Sequence, residues 1–177
     1  MRTRWIAIAA AAACALALLI VPGVAQEEKA AGPFDKMVGT WDVAAKLFMA
    51  PGMPPVESAG VEEDKLVLDG KYLAQEYKGD FQGQPFLGLG YLHYDPAKKS
   101  FTHVWMDSMG QAPVTTKGTS DENGVTTLVG EEMNPMTGQP MKVSIVIRWD
   151  GDDKAIHEMH YEMGPNMKHK AGEFVYT

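Results

Sequence analysis

After Gly39 the hydrophobic and polar positions of this chain stop following a helical period. Residues 40–177 fall into short runs rich in Val, Ile, Thr, Tyr, Phe and Trp, parted by turn-forming residues at near-regular spacing. That pattern predicts an all-β sandwich or barrel. The breaks lie at 51–55 (PGMPP), Asp69-Gly70, 83–85 (GQP), 95–99 (DPAKK), 109–113 (MGQAP), 121–124 (DENG), 134–140 (NPMTGQP), 150–153 (DGDD) and 164–166 (GPN), and they separate about ten strands. Asp69-Gly70 suits a two-residue hairpin turn, because glycine tolerates positive φ there. No later run carries the helical period that a βαβ crossover needs, which argues against a parallel α/β sheet. Within 141–149, Val143, Ile145, Ile147 and Trp149 share one face, and Lys142, Ser144, Val146 and Arg148 share the other. Within 101–108, Phe101, His103, Trp105 and Asp107 oppose Thr102, Val104, Met106 and Ser108. Other strands carry polar groups on both faces, as a small barrel with a partly polar interior would. Upstream, 33–39 (PFDKMVG) reads as one or two turns of helix, with Pro33 at the first position and Gly39 just past the end.

The N-terminus changes the compartment. Arg2 and Arg4 precede an unbroken apolar run from Trp5 to Val21, and Pro22-Gly23 and the small-x-small sequence ending at Ala25 follow it. This is the layout of a cleaved secretory leader, residues 1–25, with 26–32 as an exposed linker and 33–177 as the single folded domain. The expected location is therefore secreted or periplasmic, with no stable membrane span after processing. Cleavage removes Arg2 and Arg4, so 16 Lys+Arg become 14 against 23 Asp+Glu, a net charge of −9. The only cysteine, Cys14, leaves with the leader, so the mature domain has no disulfide and no thiolate ligand. The acidic balance argues against nucleic acid and against anionic membrane surfaces as partners.

Several segments in order resemble one family. These are VGTWDV (38–43), LDGKYLAQEY (68–77), PFLGLGYLHYD (85–95), FTHVWMDSMG (101–110) and the terminal GEFVYT (172–177). Together they are similar to a family of bacterial secreted proteins known as domain of unknown function fifteen seventy-nine, over about residues 33–177. Its marks here are Gly39, Trp41, Gly70, Glu76, Gly90, Tyr94, Asp95, Trp105, Asp107, Ser108 and Tyr176. The resemblance implies a lipocalin-like antiparallel β-barrel, with Trp41 packed across a closed end beside the short helix. It implies structural roles for Gly39, Trp41, Gly70, Gly90 and Asp95, and it supplies no activity. Family members often end in Tyr-x-Arg, whereas here Thr177 follows Tyr176.

Candidate chemistry is concentrated in two places. HEMHYEMGPNMKH (157–169) holds three histidines and three methionines. His157 and His160 are three apart on a predicted strand and point to opposite faces, which excludes a helical His-Glu-x-x-His metal site. By strand parity, His157, Met159 and Met163 share a face, with Met167 and His169 returning after the GPN turn. Imidazole with thioether and no thiolate suits copper, although methionine also fills irregular gaps between strands. Haem held by one histidine is the other compatible cofactor, with His93, His103, His157 and His169 as candidate ligands. The second place is Glu76, Phe101, His103, Trp105 and Asp107, expected to line the barrel and orient the polar group of a ligand. Methionines mostly in or beside the turns, Met49, Met53, Met106, Met109, Met133, Met136 and Met141, would form an adaptable apolar mouth if those turns ring one end.

No Gly-x-Ser-x-Gly elbow and no P-loop occur, and GLGYLH (88–93) lacks the third glycine and the following helix of a dinucleotide site. Its glycines are expected where a strand bends at a barrel corner. The expected function is binding of a small apolar or amphipathic molecule in the barrel, without catalysis. The alternatives are a copper- or haem-binding protein and a filled barrel with an interaction role. Oligomeric state is left open.

Overall fold

The computed structural model describes residues 32–50, 52–109, 112–134, 137–164 and 167–177, the side chains of Met163 and Met167 excepted. The leader 1–25, linker residues 26–31 and Met136 lie outside the described residues. Ten antiparallel strands follow one another: β1 Gly39–Leu47, β2 Val56–Val67, β3 Tyr72–Phe81, β4 Gln84–Asp95, β5 Ser100–Asp107, β6 Val114–Ser120, β7 Thr126–Met133, β8 Pro140–Trp149, β9 Ala155–Gly164 and β10 Met167–Tyr176. Each pairs with its neighbour in sequence, and β1 pairs with β10, so the sheet closes into an up-and-down barrel. The seam runs from Val43 opposite Tyr176 to Leu47 opposite Gly172. Two more bonds extend it, Asp42 N to Thr177 O at 2.9 Å and Thr177 N to Asp42 O at 3.0 Å. The main chain of Thr177 therefore ties the last strand beside Trp41. Closure leaves no unpaired strand edge among the described residues.

Turn chemistry sets the pairing. Asp69 and Gly70 take φ of 57° and 76°, with Lys71 N bonded to Leu68 O at 3.2 Å. Leu68 also takes a positive φ of 52°, and the strands pair only as far as Val67 and Tyr72, so the connection is the four residues Leu68–Lys71 and not the two-residue turn expected. The β3–β4 turn is Gln82-Gly83, φ 53° and 78°, one residue earlier than the sequence reading placed it. Pro85 falls inside β4 instead, opposite Asp80. Asp95 and Asp121 accept bonds from main-chain N–H groups of their own turns, Asp95 from Ala97 at 3.0 Å and Asp121 from Asn123 at 2.9 Å.

The expected N-terminal helix is shorter than one or two turns. Among the described residues, 33–37 form a single hydrogen-bonded turn, in which Met37 N and Val38 N both donate to Phe34 O at 2.8 and 3.2 Å. A run this short gains too few main-chain bonds to hold a helix, and packing fixes it instead. Phe34 inserts into the barrel end, edge-on to Phe101 with ring centres 6.4 Å apart, and joins Leu73, Leu92, Leu128 and Ile147. Trp41 sits beside it, its indole N–H donating to Met37 O at 2.8 Å and its ring edge-on to Trp149 at 5.9 Å. Lys36 bonds Asp152 at 2.6 Å and lies 5.9 Å over the Trp149 ring. One end of the barrel is thus closed by an apolar plug.

Phe34→Ala removes the centre of this plug and should cost about 3–5 kcal/mol in urea unfolding. Val129→Thr, on the exposed outer face of β7, should change stability by less than about 0.5 kcal/mol in the same measurement.

Candidate functional site

Strand alternation sends one side chain in two into the barrel. From the closed end upward, the interior begins with the plug, passes through a layer of polar groups and reaches a mouth. The mouth lies at the end where the β1–β2, β3–β4, β5–β6, β7–β8 and β9–β10 connections fall, because consecutive hairpins of an up-and-down barrel alternate ends. Met49, Met53, Met109 and Met133, all about half exposed, stand in or beside those connections.

The polar layer centres on β2. Glu62 and Asp64 point inward and are 1% and 5% exposed. Gln75 of β3 donates its amide to Glu62 Oε1 at 2.9 Å, and the Tyr176 hydroxyl reaches Glu62 Oε2 at 3.5 Å. Burial raises Glu62 to about 7; burial, then the charge of Glu62, raises Asp64 to about 8. Two carboxyls this close and this dry hold a proton at neutral pH. Across from them, His103 of β5 and His157 of β9 also face inward. Burial lowers His103 to about 4, and burial followed by repulsion from His103 lowers His157 to about 3. Both imidazoles are neutral at neutral pH. His157 packs on the Tyr176 ring at 4.3 Å. Asp64 Oδ1, His103 Nε2 and Thr116 Oγ1 are buried without a protein hydrogen-bond partner.

Nearer the mouth, Asp107, Glu132 and Tyr161 converge from β5, β7 and β9. Burial raises Glu132, opposed by a hydrogen bond from Tyr161 and assisted by the charge of Asp107. Burial and the charges of Glu132 and Asp107 raise Tyr161 strongly. Asp107 accepts the Trp105 indole N–H at 3.3 Å and Met109 N at 2.9 Å, so it also caps the turn. Inward glycines make room for aromatic rings to lie against the wall. A Cβ on Gly88 would fall 2.2 Å from the Trp105 ring, and one on Gly60 2.4 Å from the Tyr77 ring. Gly90, expected where a strand bends, lies within β4 and faces inward. A Cβ there would meet Gln75 Oε1 and His103 Nε2, each at 3.0 Å.

The residues expected to form a ligand site are separated by the fold. His103, Trp105 and Asp107 do face the interior on β5. Phe101 does too, but it belongs to the closed-end plug at 7% exposure. Glu76 faces outward, where it pairs with Lys78 at 2.6 Å and is held below the usual carboxylate range by that lysine. The parity of β3 decides this, because inward Leu73, Gln75 and Tyr77 leave the even positions outside. In the metal set, His157 and Met159 face inward. His169 instead bonds Phe48 O through Nε2 at 2.8 Å, and the side chains of Met163 and Met167 lie outside the described residues. His160 is on the opposite face from His157, opposite Lys170. His93 packs on Tyr72 at 4.9 Å on the outer wall. No group of three His, Cys, Asp or Glu arranged for a metal occurs among the described residues. A depression of about 360 Å³ lined by Glu76, Lys78, Leu87, Leu89 and Met106 is also on the outer wall.

The family described as protein of unknown function (DUF1579) matches residues 27–177. The chain belongs to that family. Its fold is similar to the crystal structure of Rv2717c from M. tuberculosis, with 16% identity, a TM-score of 0.58, and coverage of 81% of this chain and 92% of that one. At that identity the likeness shows the fold alone. No curated protein matches this chain.

Sequence reasoning missed Glu62, Asp64, Gln75, Thr116 and Glu132, and had Tyr176 only as a mark of the family. In VEEDKLV (61–67), hydrophobicity suggests that Val61 faces inward, yet Val61 is 42% exposed and the acids are buried. The small residues Ser58 and Gly60, in step with Glu62 and Asp64, carried the true parity.

The carboxyl pair makes stability depend on pH. Raised acid pKa values stabilise the fold fully below the unfolded values near 4, and that contribution is lost as pH rises through 7 to 8. The depressed histidines act the other way, but only below their unfolded value near 6.5. Between pH 6.5 and 8.5, stability should therefore fall by about 2 kcal/mol. The Glu62→Gln/Asp64→Asn variant should flatten that slope in urea titrations.

Proposed function

We propose that this chain is an exported binding protein that holds one small apolar or amphipathic molecule inside its barrel. One observation carries the reading. Trp105, His157, Met159, Tyr161, Phe174 and Tyr176 point inward, yet each retains accessible surface. His157 and Tyr176 lie so deep that their ionised forms are strongly disfavoured. Side chains that are both deep and accessible line a hollow. A barrel of about eight strands is just filled by its own side chains, and ten strands enclose more room. The wall-hugging aromatic rings keep that room clear. The exposed methionines at the mouth supply an adaptable apolar rim. The proposed role is carriage or sequestration, with a small molecule as partner and no catalytic step.

A second reading, a haem- or copper-binding barrel, has support in His103 and His157. Both face the interior as neutral imidazoles, the form that binds metal.

Native mass spectrometry on the protein released from its own cells tests both. An adduct of roughly a few hundred daltons, the size such a pocket holds, is expected. The same spectrum gives the processed N-terminus. Gly88→Val, which forces the Trp105 ring off the wall and into the lumen, should abolish the adduct. A haem or copper mass would establish the second reading, and a bare wild-type mass would sink both.

A further inference from the structure

The interior is lined by acids with no lysine or arginine among the described residues to match them. Glu62, Asp64, Asp107 and Glu132 point inward, on β2, β5 and β7. Every described Lys and Arg within a strand stands on the outer face, including Lys46, Lys65, Lys78, Lys117, Lys142 and Arg148. The rest lie in turns or at the outer ion cluster of Lys170 with Glu158 and Glu173. A protein that needed these carboxyls only for stability would pair them, because a buried acid without a cation is costly.

A second observation points to a ligand. His103 lies beneath the mouth, two residues from Trp105 and four from Asp107 on the same face, with ring centres of His103 and Trp105 6.1 Å apart. Its Nε2 is buried and has no protein partner. Thr116, directly opposite His103 on β6 and 1% exposed, likewise has an unpartnered Oγ1. The lumen therefore offers acceptors and one convergent acidic group, Asp107 with Glu132 and the Tyr161 hydroxyl, that still has accessible surface.

We infer that the molecule held in the barrel is an amphipathic amine, whose ammonium group sits between Asp107 and Glu132 while its apolar body lies against Trp105, Phe174 and Met159. The inference rests on the binding function proposed above and narrows it. A carboxylate-bearing amphiphile, such as a fatty acid, meets the like charge of Asp107 and Glu132 near the mouth, with no lysine or arginine among the described residues facing inward to offset it. A neutral alcohol gains the apolar contact without the ion pair.

Three matched probes separate these cases: octylamine, octanol and octanoate, titrated at pH 8 into the full-length processed protein by calorimetry. Octylamine should bind at least about tenfold more tightly than octanol, with octanoate weaker than both. Glu132→Gln, which keeps the shape and is not part of a turn, should reduce the amine-over-alcohol preference to about twofold or less. Asp107→Asn, which retains the acceptor for Met109 N, should do the same. Octanol or octanoate binding as tightly as octylamine would overturn the inference and leave the binding function standing. An undiminished preference in both variants would overturn the assigned position of the ammonium. Silence of all three probes beside a loaded native mass overturns the inference alone. Silence beside a bare native mass overturns the binding function as well.

Discussion

Everything in this molecule depends on the seam between β1 and β10. The first and last strands are more than a hundred residues apart in sequence, and their pairing turns a ten-stranded sheet into a barrel. Until that pairing forms, the inward faces of all ten strands are exposed, and β1 and β10 offer open edges. The seam is extended at both ends, at the mouth by Phe48 N bonded to Ala171 O at 2.9 Å and His169 Nε2 bonded to Phe48 O at 2.8 Å, and at the plugged end by a main-chain pair. There Asp42 and Thr177 exchange main-chain hydrogen bonds beside Trp41, and Phe34 and Trp149 fill the space below. Closure and plugging are one event, because the turn that delivers Phe34 runs directly into β1.

The cost of this architecture appears in its polar layer. Between the plug and the mouth the interior is lined with acids and imidazoles. Burial keeps the imidazoles neutral and the Glu62–Asp64 pair protonated. The charges are removed by proton binding and not by ion pairing. That solution costs stability, and such sites concentrate where a protein does its work. The outer wall follows the opposite logic. Glu76 with Lys78, Arg148 with Glu158, and Lys142 with Glu162 are paired near solvent, where each contributes little.

Much of the fold was legible in the residues. The alternation of Val143, Ile145, Ile147 and Trp149 gave β8 its inward face, and Asp69-Gly70 gave a hairpin its turn. Parity placed His157 and Met159 on one face and His160 on the other. The candidate site was legible only in part. His103, Trp105 and Asp107 were found because an aromatic marked their face. Glu62 and Asp64 were missed because the apolar residues of that stretch, Val61, Leu66 and Val67, fall on both faces, and Val61 and Leu66 are both exposed, so hydrophobic parity marks no inward face there. Glu76 and Phe101 were misplaced for a related reason. Sharing a strand or a face does not fix height along the barrel or which face turns inward.

The sequence by itself determined the strand number, the turns, the sense of most faces and the family. These depend on local chemistry, on φ preferences at turns and on alternation within a single strand. Only the tertiary structure decided which acids share the lumen, that no lysine or arginine among the described residues joins them, and which end is plugged. Those facts depend on the register between strands distant in sequence, which no single strand carries.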